Sequence, residues 1–286
     1  MSTLLQALLN GTVAGAILTL PTIAFSLMYG TLGFPNAALA GFVVLGAYVG
    51  LLPNLLLGLP YYLAALVTGA VLAPLGVMAG RIIFRQFYGG DTLAPLVASV
   101  GLFMVIENMI RVIWGNQTRG LDMVLHRPWL LGPVRLNPDQ LIVFLFALSL
   151  TALCFIFLKY TSTGRKIRAV SDDQVLAGIR GINAPRVIAV VWMIACGLCG
   201  VAGVLLAADS SISPLLGWSI AIPVFAAALL GGIGSPVGAF FGAMILGIAS
   251  ELSTLVIPPT YKSGIAFIVM VVLLLVRPQG LFRVKL

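Results

Sequence analysis

The chain has 286 residues, 60% of them hydrophobic and only 8% charged, with a mean hydropathy of +1.13; soluble domains carry about 25% charged residues, so a soluble globular protein is excluded. The apolar runs are continuous and far exceed the roughly ten alternating residues of a barrel strand, so the expected class is an all-α polytopic membrane protein. The net charge of +8 does not indicate nucleic-acid binding, because the basic residues sit in the breaks between spans, where the positive-inside rule expects them.

No Lys or Arg precedes the first apolar run, so that run reads as a retained span and not a cleaved signal peptide. It extends from about Leu8 to Tyr29. Gly11 and Gly15 form a GxxxG suited to close helix approach, and mid-span Pro21 predicts a kinked or broken helix. After a break at Gly30-Thr31-Leu32-Gly33-Phe34-Pro35-Asn36, spans are expected at about Ala37–Leu57 and Pro60–Ile83, with Arg81 and Arg85 marking a basic loop. The fourth span, about Thr92–Trp114, carries Glu107 and Arg111. They are four apart with the acid first, the favourable order for a helical ion pair. Pairing accounts for both charges, and lining a water-filled route is the alternative. The following break, Asn116–Pro138, holds His126 and Trp129. It reads as a docking surface or as a solvated loop with Trp129 at the interface.

A fifth span, about Gln140–Leu158, leads to the polar break Lys159–Arg186. Here a short capped helix is expected. Ser171 has Gln174 three residues on, the capping-box spacing; Asp172 and Asp173 fall in the first turn, where the helix dipole favours negative charge; Gly181 supplies the stop. Val175, Leu176 and Ile179 share one face. That face needs lipid headgroups, the protein's own helices or a partner against it.

The sixth span is about Val187–Ala208, with Gly197, Gly200 and Gly203 for close packing. Cys196-x-x-Cys199 has redox or zinc spacing, but no second pair accompanies it and small-residue packing is the better reading. About forty apolar residues, Trp218–Ile257, exceed one span and are divided at Gly231-Gly232-Ile233-Gly234-Ser235-Pro236. Glu251 then stands without an obvious local partner. An acid so placed is a functional candidate, or it sits near a surface or bonds a neighbouring helix. A last short span covers about Gly264–Val276. With the loops at Arg81–Arg85 and Lys159–Arg186 and the C-terminal tail cytoplasmic, eleven of sixteen basic residues lie inside and the N-terminus outside, giving about nine crossings. The expected organisation is one membrane domain: a first half 1–158, a cytoplasmic loop 159–186 and a second half 187–286.

The two Gly-Pro breaks match at a constant offset of 201 residues. Gly33, Pro35, Gly41 and Gly46 correspond to Gly234, Pro236, Gly242 and Gly247, and Gly30 to Gly231. Interrupted helices in corresponding positions mark transporter folds. No phosphate-binding loop, hydrolytic triad or metal cluster occurs, and neither an enzyme nor a cofactor is implied. Energy for transport is expected from elsewhere, delivered through the capped helix. Thr22, Ser26, Asn36 and Glu251 are the candidate pathway residues, although the first three could serve only to satisfy freed backbone.

Several stretches together carry a resemblance: Tyr29-Gly30 through Gly33-x-x-Asn36 with Gly46-Ala47-Tyr48, Gly164-Arg165-Lys166-x-Arg168-Ala169, Ala177-x-x-x-Gly181-Ile182-Asn183, Leu230-Gly231-Gly232-x-Gly234-Ser235, and Arg277-Pro278-Gln279-Gly280-Leu281-Phe282. Over nearly its whole length the chain resembles the LivH-type permeases of branched-chain amino acid ABC importers. The resemblance implies a bacterial inner-membrane subunit paired with a second, LivM-like permease, with two ATP-binding subunits and a periplasmic binding protein delivering the amino acid. It assigns the ATPase contact to the Thr163–Gly181 region, including Gly164, Arg165 and Arg168. Members commonly have Ala-His-Gly after the Asn36 position; this chain has Ala37-Ala38-Leu39. That departure implies that the substrate can differ; urea or short amides, which similar permeases also handle, are the alternative substrate class. An ion-coupled transporter using Glu251 is the reading from another class.

Overall fold

The structure is a computed structural model that describes residues 2–87, 92–123, 129–131, 134–256, 258, 262–276 and 280–281. Eleven α-helices carry the fold: α1 Ser2–Leu32, α2 Ala38–Leu57, α3 Tyr61–Ala79, α4 Leu93–Trp114, α5 Pro138–Tyr160, α6 Ser162–Asp172, α7 Gln174–Ile179, α8 Ala184–Asp209, α9 Leu216–Gly231, α10 Pro236–Ser253 and α11 Lys262–Val276. Among the described residues, seven helices are long and apolar enough to cross a membrane: α1, α2, α3 with the short helical turns after it, α4, α5, α8 and α10. Helices α9 and α11 are apolar but shorter, at 16 and 15 residues; at 1.5 Å per residue they fall short of a full hydrocarbon core. The nine expected crossings therefore become seven full-length helices and two short ones.

Boundaries follow local chemistry. Asn137, Asn183 and Ser235 cap α5, α8 and α10 through their side chains, each with proline in the first turn, where a missing N–H costs nothing. Gly58, at φ +62°, ends α2. The expected break does not occur here: α1 is helical through Pro21 for 31 residues. Proline removes only one helical bond, and a helix enclosed by neighbours tolerates that.

Burial separates centre from rim. Of the apolar window of α1, 83% is buried, against 28% for α4 and for α5. Helix α8 lies between α2 and α3, and glycine sets the spacing. A Cβ at Gly46 would stand 2.6 Å from the Gly200 carbonyl oxygen, and one at Gly203 would run into the Val43 carbonyl. Cys196 is buried against Gly76 of α3, in a packing role. As the GxxxG predicts, Gly11 and Gly15 admit α10: added Cβ atoms would lie 2.8 Å from Ile248 Cα and 3.0 Å from Met244 Cα.

The contacts sort the helix ends into two groups. At one end Gly30 meets Ser171 and Gly234, Gly280 packs on Gly232, and the Leu281 amide donates to the Leu230 carbonyl at 2.8 Å. The rest of the Arg277–Phe282 motif lies outside the described residues. At the other end Gln6 bonds the Arg135 backbone, Asn54 bonds that of Asp122, Arg119 bridges Ile212, and Gln140 donates to Asp209. This grouping agrees with the charge-based topology. Between α4 and α5, Trp129–Leu131 pairs antiparallel with Val134–Leu136. His126 lies outside the described residues, and Trp129 is exposed.

Replacing Gly203 with Leu should force α2 from α8 and lower the thermal midpoint of the detergent-purified protein, at a cost of about 1–3 kcal/mol or more. Gly101→Leu, where an added Cβ meets nothing within 4 Å, should leave the midpoint unchanged.

Candidate functional site

The basic end holds the candidate site. Between α5 and α8 the chain forms two short helices, not the single helix expected. Thr161 caps α6, its hydroxyl accepting from the Gly164 amide at 2.9 Å. Gly164 is needed because any Cβ would run into the Leu158 carbonyl, and Arg168 also donates to that carbonyl. Arg165 is exposed, with a 3.4 Å contact to the Tyr160 carbonyl.

The capping assignment to Ser171 is corrected. Asp173 caps α7, its Oδ1 accepting from the Val175 and Leu176 amides at 2.8 and 2.9 Å. Asp172 is the last residue of α6, not part of the first turn of α7. A carboxylate that accepts two backbone donors at once is a strong cap, and the Ser171 hydroxyl is committed elsewhere: it donates to the Gly30 carbonyl at 2.8 Å. The stop is as expected. Gly181, at φ +79°, closes α7 in a Schellman arrangement, with Ile182 N donating to the Ala177 carbonyl and Gly181 N to that of Gly178. Ala177 is buried toward the body, while Val175, Leu176 and Ile179 are 75%, 51% and 78% exposed. The apolar face of α7 thus points away from the chain's own helices.

Above α6 lie both matched breaks. Gly33 and Gly234, 201 residues apart, both have positive φ, +76° and +84°. Asn36 accepts from the Ala38 amide at 3.0 Å in the first break, and Ser235 accepts from the Gly238 amide at 3.0 Å in the second. Three expected break residues, Gly30, Gly231 and Pro236, are helical instead. Gly30 lies within α1 and Gly231 ends α9. Their small size serves contact: a Cβ on Gly231 would run into the Gly238 backbone. Pro35 lies in the first break; Pro236 begins α10, and Gly232 precedes it at φ +100°. A cleft of about 1370 Å³ lies here, lined by Ser26, Phe155, Lys159, Arg168, Asp172 and Pro236 among others.

The candidate pathway residues separate. Thr22 donates to the Leu18 carbonyl, and Asn36 accepts from the Ala38 amide through Oδ1 while its Nδ2 donates to Met28 Sδ. Ser26 is fully buried, its hydroxyl has no hydrogen-bond partner, and it lines the cleft. Glu251 is at the opposite end and is not alone, since Lys262 pairs with it. Its partner lies across the α10–α11 connection, which local spacing did not reveal. The Glu107–Arg111 pair forms as expected. The second oxygen of Glu107 accepts from Trp218 Nε1 at 2.8 Å, a contact spanning 111 residues that no local pattern signals.

A profile of the family described as branched-chain amino acid transport system / permease component matches residues 7–274. The chain is similar to the high-affinity branched-chain amino acid transport system permease protein LivH of Escherichia coli K12, at 29% identity over 97% of this chain and 94% of the relative. To BraD of Pseudomonas aeruginosa, of the same description, it is 28% identical over 97% and 95%. To LivM of Escherichia coli K12 it is 25% identical over 95% of this chain and 70% of the relative. Among solved structures it is similar to PsaBC from Streptococcus pneumoniae in complex with Fab, with a TM-score of 0.52 at 16% identity over 94% of this chain and 91% of that one. That likeness bears on the fold alone.

Asp173→Ala should remove about 1 kcal/mol from α7 and speed amide hydrogen exchange over residues 174–179 about fivefold, read by mass spectrometry. Ser171→Ala should leave exchange in that segment unchanged.

Proposed function

The chain belongs to the branched-chain amino acid transport permease-component family, and on that premise we propose that it is one of two permease subunits of a bacterial ABC importer for branched-chain, hydrophobic amino acids. A LivM-like permease is the second subunit, a periplasmic binding protein delivers the substrate, and two ATP-binding subunits dock on the cytoplasmic side of the inner membrane. The chain itself is a transport subunit and hydrolyses nothing.

One observation carries this reading most directly. Helix α7 is capped at both ends, held through buried Ala177, and turns three large apolar side chains away from the protein at its basic end. A short rigid helix with an outward apolar face suits a protein groove, read as i, i+1, i+4 anchors. The segment 159–186 is then the coupling loop between the halves 1–158 and 187–286. Within it Gly164 and Arg168 set the α5–α6 turn, Arg165 and Asp172 lie on the docking side, and Val175, Leu176 and Ile179 enter the partner. We place the inner mouth of the translocation route at the adjacent cleft, with Ser26 facing it and Thr22 and Asn36 in backbone-holding roles. The ion-coupled alternative loses support from the pairing of Glu251 with Lys262 and of Glu107 with Arg111 and Trp218, because a coupling acid needs to exchange its proton or ion.

Co-purification from the native membrane should recover two ATP-binding subunits and a second permease; this chain alone moving substrate in liposomes would refute the proposal. In the assembled system, Val175→Asp and Leu176→Asp should abolish leucine uptake while insertion persists, and urea uptake in place of leucine would reassign the substrate. Glu251→Gln should leave uptake unchanged from pH 6 to pH 8, on the order of the physiological range.

A further inference from the structure

The Ser171 hydroxyl donates to the Gly30 carbonyl at 2.8 Å across 141 residues of sequence. The acceptor is one of the last four carbonyls of α1, which have no intrahelical partner. Ser171 therefore serves as a C-terminal cap supplied by another helix. The fit is close: a Cβ on Gly30 would stand 2.7 Å from Ser171 Oγ and 3.4 Å from Gly234 Cα. Three elements thus meet in a row: α6, the end of α1 three residues before the positive-φ Gly33, and Gly234 of the second break. Ser171 is the penultimate residue of α6, so only Asp172 and Asp173 separate it from α7, and the Asp173 side chain is locked into the α7 cap.

From this geometry we infer that Ser171 is the positioning residue that ties the docking helix to both helix breaks, so that displacement of α7 moves the end of α1 and, through Gly30, the α9–α10 break. The inference rests on the docking role proposed for α7. Gly33 and Gly234 occupy backbone conformations open to glycine at little cost, which makes the breaks the points where such a displacement is absorbed. Ser171 acts through this contact and needs no contact with substrate.

The test uses the complete importer, reconstituted with its ATP-binding and second permease subunits, and reads substrate moved per ATP hydrolysed. Ser171→Ala should lower that ratio about fivefold, the factor corresponding to loss of one ordinary hydrogen bond, while assembly and ATP hydrolysis stay at wild-type levels. A merely structural role would instead reduce assembly and leave the ratio alone, which would overturn the inference. The double variant Gly30→Cys/Ser171→Cys supplies a covalent tie in place of the hydrogen bond. Oxidation should raise its ratio toward wild type and reduction should lower it again; transport lost on oxidation and regained on reduction would show that the two elements must separate, and would overturn the inference. Val175→Asp is assayed in parallel. If it uncouples while Ser171→Ala does not, the tie is refuted and the docking role stands. If it transports normally, the docking role fails, and the tie with it.

Discussion

Gly203 and Gly46 bring the backbones of α8 and α2 into contact, and Gly11, Gly15 and Gly247 do the same for α1 and α10. In a bilayer, association of helices gains little from apolar burial, since lipid tails are as apolar as leucine, and dispersion between closely approaching backbones must supply it. These glycine seams hold the central helices, and the placement of every other element depends on them. The rim helices α4 and α5, with most of their surface outward, have no such seams with each other.

Among the described residues, the two acids Glu107 and Glu251 each have a basic partner. Glu107 is satisfied on both oxygens by Arg111 and Trp218, which fixes the start of α9 against α4. Glu251 holds Lys262 across the α10–α11 connection. Both pairs remove the cost of an isolated intramembrane charge and tie elements that are distant or loosely joined in the chain. These pairs cross-link the end away from the basic loops, while the exposed apolar face of α7 and the buried hydroxyl of Ser26, which has no hydrogen-bond partner, lie at the basic end.

The two breaks share glycine conformation but differ in their caps and partners. Asn36 holds one, Ser235 the other. Gly46, in the first repeat, packs on α8, whereas its counterpart Gly247 packs on α1. The correspondence is one of local backbone geometry at the same end of the helices, not of identical surroundings. Because the breaks touch through Gly30 and Gly234, they form one junction, and α6 abuts it through Ser171.

Composition and run length alone determined the membrane class, the approximate spans and the two glycine breaks, because these depend on hydrophobicity and the φ > 0 tolerance of glycine, all local properties. The Glu107–Arg111 pair was legible for the same reason, at one helical turn. Whether Ser171 or Asp173 capped the loop helix could not be read locally. Both are good capping residues, and the choice was made by the Gly30 carbonyl, 141 residues away, which takes the serine hydroxyl. The continuity of α1 through Pro21, the partner of Glu251 and the third member of the Glu107 site were likewise decided by neighbours distant in sequence or across a connection. Only the tertiary structure joins the 159–186 loop to the breaks, since that link is a contact between a hydroxyl and an orphan carbonyl that no periodicity records.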